Sequence, residues 1–285
     1  MKLEDRVAII TGAGRGIGKA IALKFAEEGA SLTAVSRTAK EVNETVSEIR
    51  AVGKQAIACV VDISIEPEVQ RMTDQTVEEF GRIDILVNNA GVLGPIGPLM
   101  GNDINEWMYA IQVNLIGTFH CSRAVLPYMV RQRSGKIVNV CGAGGGPSPR
   151  FSAYACSKAA IVRLTETLAQ EVEDFNIQVN GIAPGPVNTR MQDEILLAGE
   201  CAGDGALATA MKTKKEGRSP QYVAELAAFL ASDDSDGLTG RLVSAAWDDW
   251  KNWDKPKIES LMLTQLYTLR RIDNVYFYEG PSKTS

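Results

Sequence analysis

Histidine is nearly absent from this chain: the 285 residues contain one, His120. Zinc centres draw on several His and Cys at close spacing, and the five cysteines (Cys59, Cys121, Cys141, Cys156, Cys201) form no CxxC pair. Neither a metal site nor a disulfide framework is expected, and a reduced compartment is the default. A Ser-His-Asp hydrolase would have to be built on His120, yet the chain lacks a nucleophile elbow. His120 lies in a long helical stretch and is read as a packing residue. Excess positive charge is missing too. Thirty Lys and Arg face 35 Asp and Glu, a net charge of -5, which argues against a nucleic-acid surface. No apolar run approaches the roughly 18 residues of a membrane span. Lys2, Glu4, Asp5 and Arg6 stand where a signal peptide would carry its apolar run, so a cytoplasmic protein is expected.

What is present is a regular alternation. The composition, 45% hydrophobic and 23% charged, is that of a globular protein with a sizeable core. Short apolar runs at Val7–Ile10, Leu32–Val35, Ala56–Val61 and Ile85–Val87 are separated by amphipathic stretches at Ile17–Glu28, Glu41–Val52 and Glu68–Phe80. That pattern predicts βαβ units, and fully apolar strands suit a parallel sheet covered on both faces. A helix over about Glu106–Arg131, a strand at Ile137–Val140, a helix over about Ser152–Glu173 and a strand at Ile177–Ile182 continue it. A loop with short helical pieces, Pro184–Arg218, a helix at Gln221–Leu230 and a strand near Leu242 complete it. The expected fold is α/β: one doubly wound, three-layer Rossmann domain over residues 1–244 with a mostly parallel seven-stranded sheet. Residues 245–285 differ in character. Trp247, Trp250 and Trp253 sit among acids, Ile258–Leu269 reads as an amphipathic helix, and Tyr276–Tyr278 is an aromatic run. Such a tail is too small to fold alone and must pack on its own domain or a neighbouring subunit. The tryptophans could form a ligand-stacking wall, although aromatic clusters in tails usually serve packing or an interface.

Between the first strand and first helix lies Thr11-Gly12-Ala13-Gly14-Arg15-Gly16-Ile17-Gly18. Glycines there let backbone N–H groups approach a pyrophosphate at the positive helix terminus, although they would equally serve a tight turn. The second strand ends in Ser36-Arg37, without the acid that grips the ribose in NAD sites. Ser36, Arg37 and Arg15 therefore favour NADP(H) over NAD(H), since guanidinium groups match phosphate geometry. Asp62, followed by Ile63, stands at the end of the third strand and could meet the adenine edge or simply be a solvated cap.

Tyr154 and Lys158 are four residues apart, on one face of a helix. A phenol near pKa 10 works at neutral pH only beside a stabilising cation, which Lys158 and a nicotinamide could supply. Alone, YxxxK is usually a solvated helix face. Here it stands with the Gly12–Gly18 turn, Asn88-Asn89-Ala90-Gly91, Asn114 within Val-Asn-Leu-Ile-Gly, and Pro184-Gly185-Pro186-Val187-Asn188-Thr189. Together, in this order, over about residues 3 to 244, these motifs resemble the short-chain dehydrogenase/reductase family.

The resemblance implies an NAD(P)(H)-dependent oxidoreductase that moves a hydride between nicotinamide and a carbonyl or secondary alcohol of a small or medium substrate. It implies Tyr154 as general acid/base, Lys158 as ribose ligand and pKa-lowering cation, and Asn114 as holder of a relay water. Gly12, Arg15, Gly16, Ile17, Gly18, Asn88, Ala90 and Gly91 would line the cofactor, while Pro184, Gly185, Val187 and Thr189 would seat the nicotinamide. The substrate loop would be 188–218, and a homodimer or homotetramer would pair through the two long helices. One position departs from the pattern. The family carries a serine at the end of the fifth strand, commonly thirteen residues before the tyrosine; counting back from Tyr154 gives Cys141, while alignment to Asn-x-Ser-Ser gives Gly142. Three readings follow: Cys141 substitutes as a weaker donor, Ser148 reaches in from the glycine-rich loop, or the chain is a cofactor-binding sensor or scaffold with little turnover. Because Asn114, Tyr154 and Lys158 are retained, a weakened or shifted oxyanion donor is preferred, with the bland alternative of Cys141 as a buried cysteine ending a strand.

Overall fold

The computed structural model describes residues 1–142 and 147–270. Seven strands form one sheet: β1 (Val7–Thr11), β2 (Ser31–Ser36), β3 (Ala56–Val60), β4 (Ile85–Asn88), β5 (Gly135–Val140), β6 (Ile177–Ala183) and β7 (Leu242–Ser244). Their order is 3-2-1-4-5-6-7 and every pairing is parallel. β1, β4 and β5 are buried along their full length, which is why their sequences are unbroken rather than alternating. The order reverses direction between β1 and β4, and a crevice opens there at the carboxyl ends of the strands.

Helices cover both faces. α1 (Gly16–Glu27), α2 (Ala39–Ala51) and α9 (Gln221–Ala231) enclose one core, in which Phe25, Ile49 and Leu226 are fully buried. On the other face α3 (Glu66–Phe80), α5 (Gly117–Gln132) and α6 (Ser152–Glu171) enclose a second, around Met72, Val125 and Leu168. The helix expected at 106–131 is interrupted. α4 (Ile104–Ile111) starts at Asp103, whose carboxylate accepts from the Asn105 and Glu106 amides, and a π turn over Gln112–Ile116 joins it to α5. The loop 184–218 carries α7 (Arg190–Ala198) and α8 (Asp204–Glu216).

The tail packs on its own domain. Ala245, Trp250, Trp253, Ile258 and Leu261 belong to the same core as α1 and α9, and Trp250 stacks on Phe229 with ring centroids 5.6 Å apart. Trp247 is exposed. The helix expected at 258–269 runs instead over α10 (Lys255–Met262): Asp254 caps it by accepting from the Lys257 amide, and Pro256 sits in its first turn. After Met262 the chain turns away to the sheet edge, where the Leu242 amide donates to the Tyr267 carbonyl. Tyr276–Tyr278 lie outside the described residues.

Candidate active site

The crevice is walled by Gly12, Arg15, Gly16 and Ile17 from the first turn, Ser36 and Arg37 after β2, Asp62 and Ile63 after β3, Ala90 and Gly91 after β4, and Thr189 before α7. The helix α1 receives no side-chain cap from Arg15, so its first amide N–H groups remain available to an anion in the crevice. The turn is closely built. A Cβ on Gly18 would lie 2.2 Å from the Gly12 carbonyl oxygen, and Gly12 itself has φ +67°. The residues fit a dinucleotide: an anion-accepting helix end, glycines that admit close approach, and basic side chains at the far end.

Sequence reasoning missed several walls of this crevice. Asn89, not Asn88, holds the glycine turn, its Nδ2 donating to the carbonyls of Thr11 (3.0 Å) and Gly12 (3.3 Å). Asn88 ends a strand and points inward, donating to Asn139 Oδ1 and Ser122 Oγ; it is buried beneath the crevice rather than in it. Gly18 likewise packs behind the turn. Glu41 at the start of α2 pairs with Arg15 (3.0 Å) and lies 3.9 Å from Arg190, and Asp62 lies 3.6 Å from Arg37. Both arginines expected to receive a phosphate thus already have carboxylate partners. A motif read along the chain could not show that pairing, because Glu41 comes from a neighbouring element.

Tyr154 and Lys158 stand one helical turn apart on α6. Lys158 is buried, its Nζ donates to the Val140 carbonyl (2.8 Å), and it lies 5.7 Å from the centre of the Tyr154 ring. Burial pushes the Lys158 ammonium down to about 8 and the Tyr154 phenol up to about 12, the Cys141 thiol adding to the latter. The protein by itself therefore keeps Tyr154 in its protonated, proton-donating form. Above Lys158, a Cβ on Gly91 would come within 3.5 Å of Nζ, so the glycine opens the crevice toward the ammonium.

Asn114 falls in the π turn, and its side chain is fully engaged. Oδ1 accepts from the Val92 amide, while Nδ2 donates to the Val92 carbonyl and Ser157 Oγ. It ties the loop after β4 to α6 rather than offering a free group. Pro184 and Val187 are buried and shape the next loop from behind, and Gly185 (φ +73°) is covered by Ala246 and Trp247. His120 Nδ1 donates to the Ile63 carbonyl (3.2 Å), beneath the end of the crevice lined by Asp62 and Ile63.

The expectation for Cys141 is corrected. Its Sγ is buried in an apolar cluster with Ile161 and Val162, donates to the Asn139 carbonyl (3.4 Å) and is pushed up to about 12 by burial. Side chains alternate along an extended strand, so position 141 turns into the layer under α6 and position 142 faces Tyr154. Gly142 has φ +58°, and a Cβ placed on it would be 2.5 Å from the phenol oxygen. The residue beside the Tyr154 hydroxyl is glycine, which brings no side-chain donor. Ser148 gives its carbonyl to the Phe151 amide, and among the described residues its hydroxyl makes no hydrogen bond to Tyr154. Residues 143–146 lie outside the described residues.

The chain matches the short chain dehydrogenase family over residues 6–198. It is 36% identical over 246 residues to the 3-oxoacyl-(acyl-carrier-protein) reductase FabG of Thermotoga maritima, covering 85% of this chain and 97% of that one. It is 39% identical over 244 residues to the short-chain reductase protein NovJ of Streptomyces niveus, covering 84% and 92%. Among solved structures, an NAD+-bound xylitol dehydrogenase superposes with a TM-score of 0.79 at 31% identity, covering 86% of this chain and 98% of its own.

Proposed function

Since the chain belongs to the short-chain dehydrogenase/reductase family and is an NAD(P)(H)-dependent oxidoreductase, we propose that it reduces a carbonyl with NADP(H), using Tyr154 as proton donor. The nicotinamide, when bound, supplies the hydride; the protein's part is orientation and the proton. The first glycine turn and the α1 terminus would hold the pyrophosphate, Ser36, Arg37 and Arg15 the 2′-phosphate, and Asp62 and Ile63 the adenine. Ala90, Gly91 and Lys158 would hold the nicotinamide ribose, and Thr189 the nicotinamide. Oxidation of an alcohol is the same path reversed and needs the phenolate, which Tyr154 reaches only when added positive charge offsets its raised pKa.

The observation that carries this reading is the Tyr154–Lys158 pair, one turn apart on α6, with the Lys158 ammonium directly beneath Gly91 of the crevice wall. Xylitol dehydrogenase was solved with NAD+, so the preference for NADP(H) rests on this chain's own Ser36, Arg37 and Arg15. With Gly142 in place of a hydroxyl donor, the oxyanion has one preorganised side-chain donor fewer, a loss of about 3 kcal/mol or a hundredfold in rate. Incubation with a panel of ketones and aldehydes should consume NADPH faster than NADH; a panel reduced only with NADH would remove the cofactor assignment. Among the described residues no helix is long and apolar enough to cross a membrane. Exposed Ile104, Met108 and Phe119 on α4 and α5 support assembly of two or four copies through this helix face.

A further inference from the structure

Tyr154 packs on an apolar cluster. Its buried members are Leu93 from the loop after β4, Phe151 from the residue before α6, and Ala202; Ile96 of the same loop and Met191 and Ile195 of α7 pack against it. Met191, Ile195 and Ala198 recur at i, i+4 and i+7, so α7 lays an apolar stripe on this cluster, and Leu207 of α8 joins it.

Every charge on these segments is directed elsewhere. The loop 91–98 has no ionisable residue. On α7, Arg190 and Glu194 line the cofactor crevice, where Met191 also reaches, and Asp193 pairs with Lys214 (2.8 Å). Glu200, Asp204, Lys212, Lys215 and Glu216 are exposed. Arg150, just before α6, donates to the carbonyls of Glu200 (3.0 Å) and Cys201 (3.1 Å), which commits its guanidinium to holding the turn between α7 and α8. Gly142 adds no polar side chain on the remaining side.

We infer that the substrate carries an alkyl or aryl group beside the reacting carbonyl and no charge there, because Leu93, Ile96, Phe151, Met191 and Ile195 form the wall against which that group must lie. The inference rests on the reading of Tyr154 as the proton donor. A carboxylate against this wall would lose its hydration and gain no cation in return among the described residues. An aryl group meets apolar side chains there instead.

The test uses two ketones that differ by one charge, acetophenone and 4-acetylbenzoate, with the full chain. Initial rates are measured with NADPH, and binding of each ketone to the NADP+-loaded protein is measured by calorimetry. The neutral ketone should be favoured about a hundredfold in both kcat/KM and Kd, and Ile195→Lys should narrow both ratios at least about tenfold. Equal or better handling of the carboxylate, or no binding of either ketone, overturns the inference. Preferential binding of the neutral ketone without reduction leaves the inference standing and removes the assignment of Tyr154 as proton donor.

Discussion

Cys141 and Gly142 are adjacent in sequence and opposite in role, and they give contrary expectations on substitution. Cys141→Ser places a hydroxyl where the buried thiol already donates to the Asn139 carbonyl. Its kcat/KM should stay within about threefold of the parent, since a buried donor exchanged for another changes little. Gly142→Ser puts a side chain at φ +58° and a Cβ on the Tyr154 oxygen. It should lower kcat at least about tenfold, as strain of about 1–2 kcal/mol is added to a displaced phenol. A gain of activity in Cys141→Ser would show that the thiol does face substrate.

The titration of Lys158 sets the pH behaviour. Its folded pKa, lowered by burial to about 8, lies below the ordinary lysine value, so the ammonium is lost as pH rises through about 8, well before Tyr154. For carbonyl reduction, kcat/KM should be flat below that point and fall above it, measured over pH 6 to 10. For stability the sign is reversed: below the folded pKa the buried cation is a burden, and its contribution improves as pH rises from about 8 toward the unfolded value. A reduction rate still rising above pH 9 would contradict this assignment. In the crevice, Glu41 competes with a phosphate for Arg15. Glu41→Gln should tighten NADP(H) about three- to tenfold and leave NAD(H) nearly unchanged, read as the ratio of the two Kd values at low salt.

At the scale of elements, strands and their order were legible because parallel strands are short, apolar and separated by helices. The π turn at 112–116 was not, since one extra residue in a helix leaves the hydrophobic period almost intact. The start of α10 was misplaced because its cap, Asp254, and Pro256 precede the apolar residues by which the helix was recognised. The end of the tail depends on distant partners. Buried Arg241 donates to the Thr264 carbonyl (3.0 Å), and the carboxylate of buried Glu166 meets Arg163, Arg270 (3.2 Å) and the Leu269 amide (2.5 Å). Ending the chain after Met262 takes Thr264 from Arg241 and Leu269 and Arg270 from Glu166, leaving the Leu261 and Met262 carbonyls and Arg163 as their partners, and should destabilise the fold by about 1–3 kcal/mol in chemical denaturation. A loss under about 0.5 kcal/mol would mean that residues 263–270 contribute only contacts that water replaces.

Across the whole molecule, the sheet order brings residues from five separate segments to one crevice at the reversal between β1 and β4. The positions on loops after strands, such as Gly12, Arg37, Asp62 and Gly91, were legible because topology sends every such loop to the same end of the sheet. Those that failed did so for local reasons: Asn88 and Cys141 still belong to strands, where alternation decides which face a side chain takes. The apolar cluster on Tyr154 was not legible, as its stripe on α7 gains meaning only from what it packs against.

The central claim is that Tyr154 delivers the proton at a nicotinamide site. The most direct measurement compares Tyr154→Phe with the parent, reading kcat/KM for acetophenone reduction and NADPH binding by fluorescence on the same samples. Tyr154→Phe should lose at least about a thousandfold in kcat/KM while its NADPH Kd stays within about threefold of the parent. Turnover within about tenfold of the parent would contradict that claim.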